Sequence, residues 1–444
     1  MKRGIFIFWL ATSFLMLSSA YGMAQEGSIT SGYLKAIPGI ALHGVYDQNI
    51  YLTNHALTRG GRIHSGNLKI IPGFAIQGVH DDNIYLGNGD NTPQEEEESD
   101  WITHVMPLLL FDYSLAERGS LNFGYRGDFA YYNDNDENDW TRHEGILRFD
   151  YGSPGGLILG IDNLFVNTED PYSSENEFLL GHPQVGRWYD RLNTTIGFDF
   201  SDQLKVFTYY NFYKQEYDEA VDFSQDYKYH EFGAGTQIRL HPKTWGFFRY
   251  YYGERDYYTH SGLVTDSNDS DSDYHRVNVG LIWDADAKLG GELNLGYQWK
   301  SYDNSTDVNG NPYDDENTWI ARTLISYEAA PTTTLGLGLA RALREAGADT
   351  NEYYEDTGIS LNVQQVLTEK LILHVGGIYS NQDYNVFRSQ KREDDNYKVK
   401  IDLDYQVQDW LSAQVGYQYW DKDSDQEAYD FTDNRFMVSV DLVY

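Results

Sequence analysis

Apolar and polar residues alternate at period two through most of the chain. In NYKVKIDLDYQV, Tyr397, Val399, Ile401, Leu403, Tyr405 and Val407 fall on one face, with Lys398, Lys400, Asp402, Asp404 and Gln406 on the other. GGELNLGYQWK and LSAQVGYQYW repeat the pattern. Each such segment reads as a strand that is greasy on one side and wet on the other. Between them, short turns (SPGG at Ser153 to Gly156, SD at Ser201 and Asp202, HPKT at His241 to Thr244, TEK at Thr368 to Lys370, QD at Gln408 and Asp409) alternate with long polar loops such as DPYSSENEFLLGHPQVG. Strands of ten or more residues with short turns on one side and long loops on the other are the pattern of an outer-membrane barrel, and exceed usual sandwich strands. Aromatic residues crowd strand ends, as in WGFFRYYYGERDYY, where a barrel carries its girdles.

The fold class expected is therefore all-β: a transmembrane antiparallel β-barrel of about 18 strands in the bacterial outer membrane. The strands are placed near 68–86, 101–115, 120–133, 140–151, 156–167, 188–200, 203–217, 227–240, 244–258, 273–284, 289–302, 318–328, 333–345, 353–367, 370–384, 395–408, 410–422 and 435–444. The faintest alternation is at 156–167 and 333–345. An even count puts both ends on the periplasmic side. The chain closes on RFMVSVDLVY, with Phe436, Val438, Val440, Leu442 and Tyr444 on one face. This is similar to the terminal strand read by the barrel assembly machinery, an expected partner together with outer-membrane lipid and lipopolysaccharide.

One unit is written twice. GYLKAIPGIALHGVYDQNIYLTN begins at Gly32 and GNLKIIPGFAIQGVHDDNIYLGN at Gly66. The apolar spacing is not helical and Pro38 and Pro72 interrupt both copies, so a helical solenoid does not fit. Two copies of one pattern should run the same way, which adjacent antiparallel strands cannot do. The second copy leads into the first long loop and is the better first strand. Residues 25–65 are then an extension in the periplasm or the lumen, and 66–444 the barrel. Ahead of them, Lys2 and Arg3, an apolar run from Gly4 to Leu17 and small residues up to Ala24 make residues 1–24 an expected signal peptide.

Composition narrows the function. The net charge of −35 argues against nucleic acid as a partner. The 38 Tyr, 21 Phe and 10 Trp argue against disorder despite the acidity. With no cysteine, stability rests on backbone pairing and packing, and lipoprotein anchoring is not expected. The acidic tracts EEEESD (Glu95 to Asp100) and DSNDSDSD (Asp266 to Asp273) lack the spacing of a calcium loop and read as solvated loops. His143–Glu144 and His230–Glu231 lack the second histidine of a zinc-hydrolase motif. No catalytic residue, metal site or cofactor is expected.

IIPGFAIQGVHDDNIYL, SDWITHVMPLLLFDYS and LNFGYRGDFAYY together resemble the outer-membrane beta-barrel porin 2 family, often associated with exopolysaccharide loci. The resemblance implies a channel, with a polysaccharide as a possible cargo, and supplies no catalytic residues. The duplicated unit departs from the single copy expected of that family.

From the residues themselves, the polar faces offer pore-lining candidates: Arg126, Arg148, Arg191, Arg239, Arg249, Arg276, Lys300, Arg322, Lys398 and Lys400. Asp402 and Asp404 join them, with Asp128, Asp150, Asp199, Glu231, Glu292 and Asp441 as further acids. Such side chains tune the selectivity of a water-filled lumen. The expected function is a porin-like channel, for exopolysaccharide export or diffusion of polar solutes. The alternatives are a barrel hydrolase and a structural or adhesive barrel with a plugged lumen.

Overall fold

The computed structural model describes residues 63–88, 97–116, 118–171, 186–218, 226–258, 271–283, 288–306, 313, 315–345, 353–384 and 391–444. The expected signal peptide, residues 1–24, and the first copy of the repeat lie outside them. So do residues 95–96 and 266–270 of the two acidic tracts.

The described residues form one closed antiparallel barrel of 18 long strands, preceded by a short strand β1 (Ile63–Ser65). The wall begins with β2 (Leu68–Asp81), β3 (Asp100–Ser114), β4 (Gly119–Tyr132), β5 (Trp140–Gly152), β6 (Leu157–Thr168) and β7 (Arg187–Ser201). It continues through β8 (Leu204–Tyr217), β9 (Tyr227–His241), β10 (Thr244–Tyr257), β11 (Ser272–Trp283), β12 (Leu289–Tyr302) and β13 (Glu316–Ala330). The circuit is completed by β14 (Thr333–Glu345), β15 (Tyr353–Val366), β16 (Leu371–Tyr384), β17 (Arg392–Gln408), β18 (Leu411–Ser424) and β19 (Phe431–Val443). Each strand pairs with its sequence neighbours, and β19 pairs back onto β2 from Arg435↔Asp81 to Val443↔Gly73. Closure matters because an open edge in lipid would leave backbone polar groups without partners.

The alternation read from the sequence sets the two faces. Along β19, Phe436, Val438, Val440 and Leu442 are 37–45% exposed, whereas Ser439 and Asp441 are nearly inaccessible. A water-soluble protein does the reverse. The apolar face is the outside, where lipid replaces water, and the polar face lines the interior. The five short turns named above all sit at one rim, each joining the end of one strand to the start of the next.

Two boundaries differ from the sequence reading for a physical reason. β2 stops at Asp81 rather than running on to residue 86. Asn83 donates from its side chain to the Gly87 carbonyl (2.8 Å) and accepts from the Gly87 N–H (2.9 Å), so an amide stands in for a ladder partner and turns the chain inward. Ile84 and Leu86 are thereby buried under the rim, Leu86 with a left-handed φ of 51° against Trp420 and Phe431. The same contact holds Phe431 in register with Lys422, which starts β19 four residues before the expected 435. The two faintest segments are full strands, β6 and β14.

β1 pairs with Leu68–Ile70 on the edge of β2 just below the end of β19. It thus extends the closing seam, and Gly66 makes the intervening turn with φ 61°.

Candidate functional site

The interior face carries a network of charged side chains supplied by alternate residues of nearly every strand. On the side formed by β4–β7, Glu144 accepts from Arg126 Nε (2.6 Å) and Arg142 Nε (2.7 Å). Arg142 reaches on to Asp170 (2.9 Å), which Arg187 also holds (2.7 Å), and Arg148 pairs with Asp162 (2.8 Å). On β8–β12, Glu231 is fully buried and takes Arg276 (2.7 Å), the Tyr274 hydroxyl (2.5 Å) and the Asn211 amide (2.8 Å). Arg249 pairs with Glu292 (3.1 Å) while lying 3.7 Å over the Phe247 ring. Buried charges are tolerated only when paired in this way.

Asp170 lies just beyond the end of β6. Burial pushes its carboxyl pKa up, but the Arg187 and Arg142 guanidinium groups, with hydrogen bonds from Arg187 and Thr168, outweigh that and hold it below the usual carboxylate range.

The sequence-derived candidates fall on this inner face in different states. Arg126, Arg148, Arg249, Arg276 and Lys400 are buried and ion-paired, Lys400 with Asp402 at 3.4 Å. Lys300 is buried beside Tyr302, and Lys398 sits 3.4 Å over Trp420. Asp404 faces His374 (3.0 Å) and Asp128 faces His104 (3.0 Å). Asp441 accepts from Ser439 (3.2 Å) and Asp150 is half-buried two residues from Arg148. Arg239 is exposed at the short-turn rim, stacked 4.5 Å over Trp245. Arg322 is half-buried, with no ion pair among the described residues. Arg191 is 5% exposed and has none either.

The sequence reading omitted Arg142, Asp162, Asp170, Arg187, Arg344, Arg392 and Arg435. Arg142 has the same parity as Arg148 and was legible on that ground. Asp162 sits in GLILGIDNLFVN, where alternation is faint, and Asp170 and Arg187 flank a long loop where strand parity gives no guide.

The two His–Glu dipeptides separate completely. Glu144 and Glu231 point inward, whereas His143 and His230 point to lipid and accept from or donate to Tyr125 (2.8 Å) and Tyr210 (3.0 Å). Neighbouring residues of a strand cannot share a site on one face. Among the described residues, one acidic trio converges: Asp81, Asp82 and Asp433 bring carboxylate oxygens within 4.8 Å of one another. Arg435 takes Asp81 (3.0 Å) and Asp433 (2.8 Å), and Asn434 donates twice to Asp82, so the trio reads as an ion-paired clamp across the β2–β19 seam. Asp100 clamps a loop, accepting from the backbone N–H groups of Asn133, Asp134 and Asn135 at 3.0–3.2 Å.

Among solved structures, the chain is similar to OpdL of Pseudomonas aeruginosa (TM-score 0.44, 13% identity, 85% of this chain and 99% of that one). It is also similar to OccK2 (OpdF) of Pseudomonas aeruginosa (0.44, 10%, 85% and 98%) and to OccAB4 of Acinetobacter baumannii (0.43, 12%, 84% and 98%). No curated protein sequence matches it. Residues 61–444 match the family described as putative beta-barrel porin 2, and the chain, a barrel apolar outside and charged within, belongs to that family of bacterial outer-membrane proteins.

Proposed function

We propose that this porin-like barrel is a channel for polar solutes, with saccharides as its favoured cargo. The observation that carries the reading is the inner face itself: charged and amide side chains from strand after strand, on a wall whose other face is built for lipid. A barrel serving only as a structural element has no use for so many interior charges, each of which must be desolvated and matched. Tyr189, Tyr213, Tyr229 and Tyr274 line one side next to Asn211, Gln215 and Glu231. Aromatic faces beside a few placed polar groups are what a sugar ring requires. Export of an exopolysaccharide is the specific form of this reading.

Reconstitution tests it. The purified, heat-modifiable protein should give stepwise currents in a planar bilayer, and liposomes containing it should swell in isotonic solutions of small sugars. Silent bilayers and sugar-tight liposomes from correctly folded protein would remove the channel reading.

A further inference from the structure

Among the described residues, the buried arginines Arg126, Arg148, Arg187, Arg249, Arg276, Arg344 and Arg392 each have a carboxylate within ion-pair distance. Arg191 does not. It projects from β7, beyond Arg187 on the same face, into the same wall, is 5% exposed, and its Nε and Nη2 are sealed from solvent without a hydrogen-bond partner. The carboxylates that act on it, Asp162 and Glu144, are already held by Arg148 and by Arg126 and Arg142. Its cross-strand neighbour Tyr213 donates instead to Gln215 (2.8 Å), and Tyr189 accepts from Arg142 (3.2 Å).

Leaving a guanidinium buried and unmatched is strongly unfavourable, because its lost hydration is not replaced. A wall that matches every other buried arginine among the described residues points to a partner from outside the chain. The unmet nitrogens define its shape. Nε and Nη2 form the side edge of the guanidinium, two parallel donors that fit the two oxygens of a carboxylate. The Tyr189 and Tyr213 rings, 5.9 Å between centroids, flank the position and suit the apolar body of the molecule that bears it.

We infer that Arg191 is a binding site for a carboxylate carried by a permeating solute, reached when the side chain swings its free edge to the lumen. The inference rests on the channel reading and narrows its cargo to carboxylate-bearing molecules. Two sources share that chemistry, a free small acid and an acidic unit of a sugar chain.

The experiment is ion-current recording on the wild-type channel with sodium glucuronate, a short oligogalacturonate, or glucose added. Glucuronate should interrupt the current saturably and glucose should not. In Arg191→Gln the apparent affinity should fall about tenfold or more, the loss expected for hydrogen bonds to a charged group. Arg191→Lys, which keeps charge but not the fork, should recover only part of it. Block by both acids assigns the site to a sugar chain; block by glucuronate alone assigns it to small acids. A conducting wild-type channel indifferent to both acids, or equal block in Arg191→Gln, would overturn the site and leave the channel standing. Should the wild type prove silent, the channel reading fails by itself, and calorimetric titration of glucuronate against glucose into detergent-folded wild type decides the site: no heat beyond the glucose control overturns it. The same titration decides if Arg191→Gln does not fold.

Discussion

The inner faces of β8–β10 and β14–β16 lie six strands apart in the same sheet and are built in opposite ways. On β8–β10 the inward positions hold Phe207, Tyr209, Tyr213, Tyr229, Trp245, Phe247 and Tyr251, nearly all buried. Their rings lie down on the wall rather than across the lumen. Tyr251 and Tyr209, 5.6 Å apart, cover Gly233 and Gly235 of the strand between them, where a Cβ would run into the rings. On β14–β16 the inward positions at mid-height are mostly small, among them Gly338, Ala340, Gly358, Ser360, Gly376 and Ser380, while Arg344, Tyr354, Asp356 and Tyr384 fill the inner face toward the long-loop rim. One wall is thick and chemically specific; the other is thin at mid-height. The open cross-section of the barrel should therefore lie along the thin wall, with recognition confined to the thick one and its neighbour β7. Uniform porin-like lining would not produce this division.

The comparison can be broken most severely at the rim of β6 and β7. Asp170→Asn leaves Arg187 and part of Arg142 unmatched in a buried site, a loss of about 3–5 kcal/mol, and should lower the unfolding temperature sharply at neutral pH. The sign with pH follows from the depressed carboxyl. Its stabilising contribution is complete above the unfolded value, roughly 3.9, and disappears as pH falls through the lower folded value. Wild type and variant should thus converge only in strong acid; a gap that persists there would show that the loss was not ionic.

Next in size is Gly233→Val, which must displace the Tyr251 ring. Overpacking of this kind costs about 1–3 kcal/mol, visible as a lower temperature for loss of the heat-modifiable band. Gly377→Val is the control, a lipid-facing position where a Cβ has only the Lys398 carbonyl 4.0 Å away; an equal loss there would show that the Tyr251 ring was not the cause. The smallest effect belongs to Lys398→Gln. This cation rests on Trp420 with no ion pair among the described residues, so its removal should reduce anion preference slightly in a salt-gradient reversal-potential measurement. An unchanged potential would place it away from the ion path.

The barrel was legible because one face of every strand meets lipid, and period-two alternation is a direct consequence. The inward Lys398, Lys400, Asp402 and Asp404 followed from parity alone. What parity could not supply was partnership. Parity does not distinguish Arg191 from Arg187: the same strand and parity place one against Asp170 and leave the other unmatched, because Asp170 lies beyond the end of β6, across a loop that alternation does not reach. Nor could propensity end β2 at Asp81, where an Asn83 side chain outcompetes the ladder that Ile84 and Tyr85 would otherwise extend. The thin wall was hidden because small residues such as Gly338 and Ala340 weaken alternation where the lumen needs room.

The division between walls is tested most directly by single-channel conductance of Ala340→Trp beside Tyr251→Trp. Ala340 is inward and half-buried on the thin wall, so a bulky ring there should cut the conductance clearly, whereas exchanging one ring for another at the buried Tyr251 should leave it near the wild-type value. Conductance unchanged by Ala340→Trp in a correctly folded barrel, or reduced equally by both substitutions, would contradict the account.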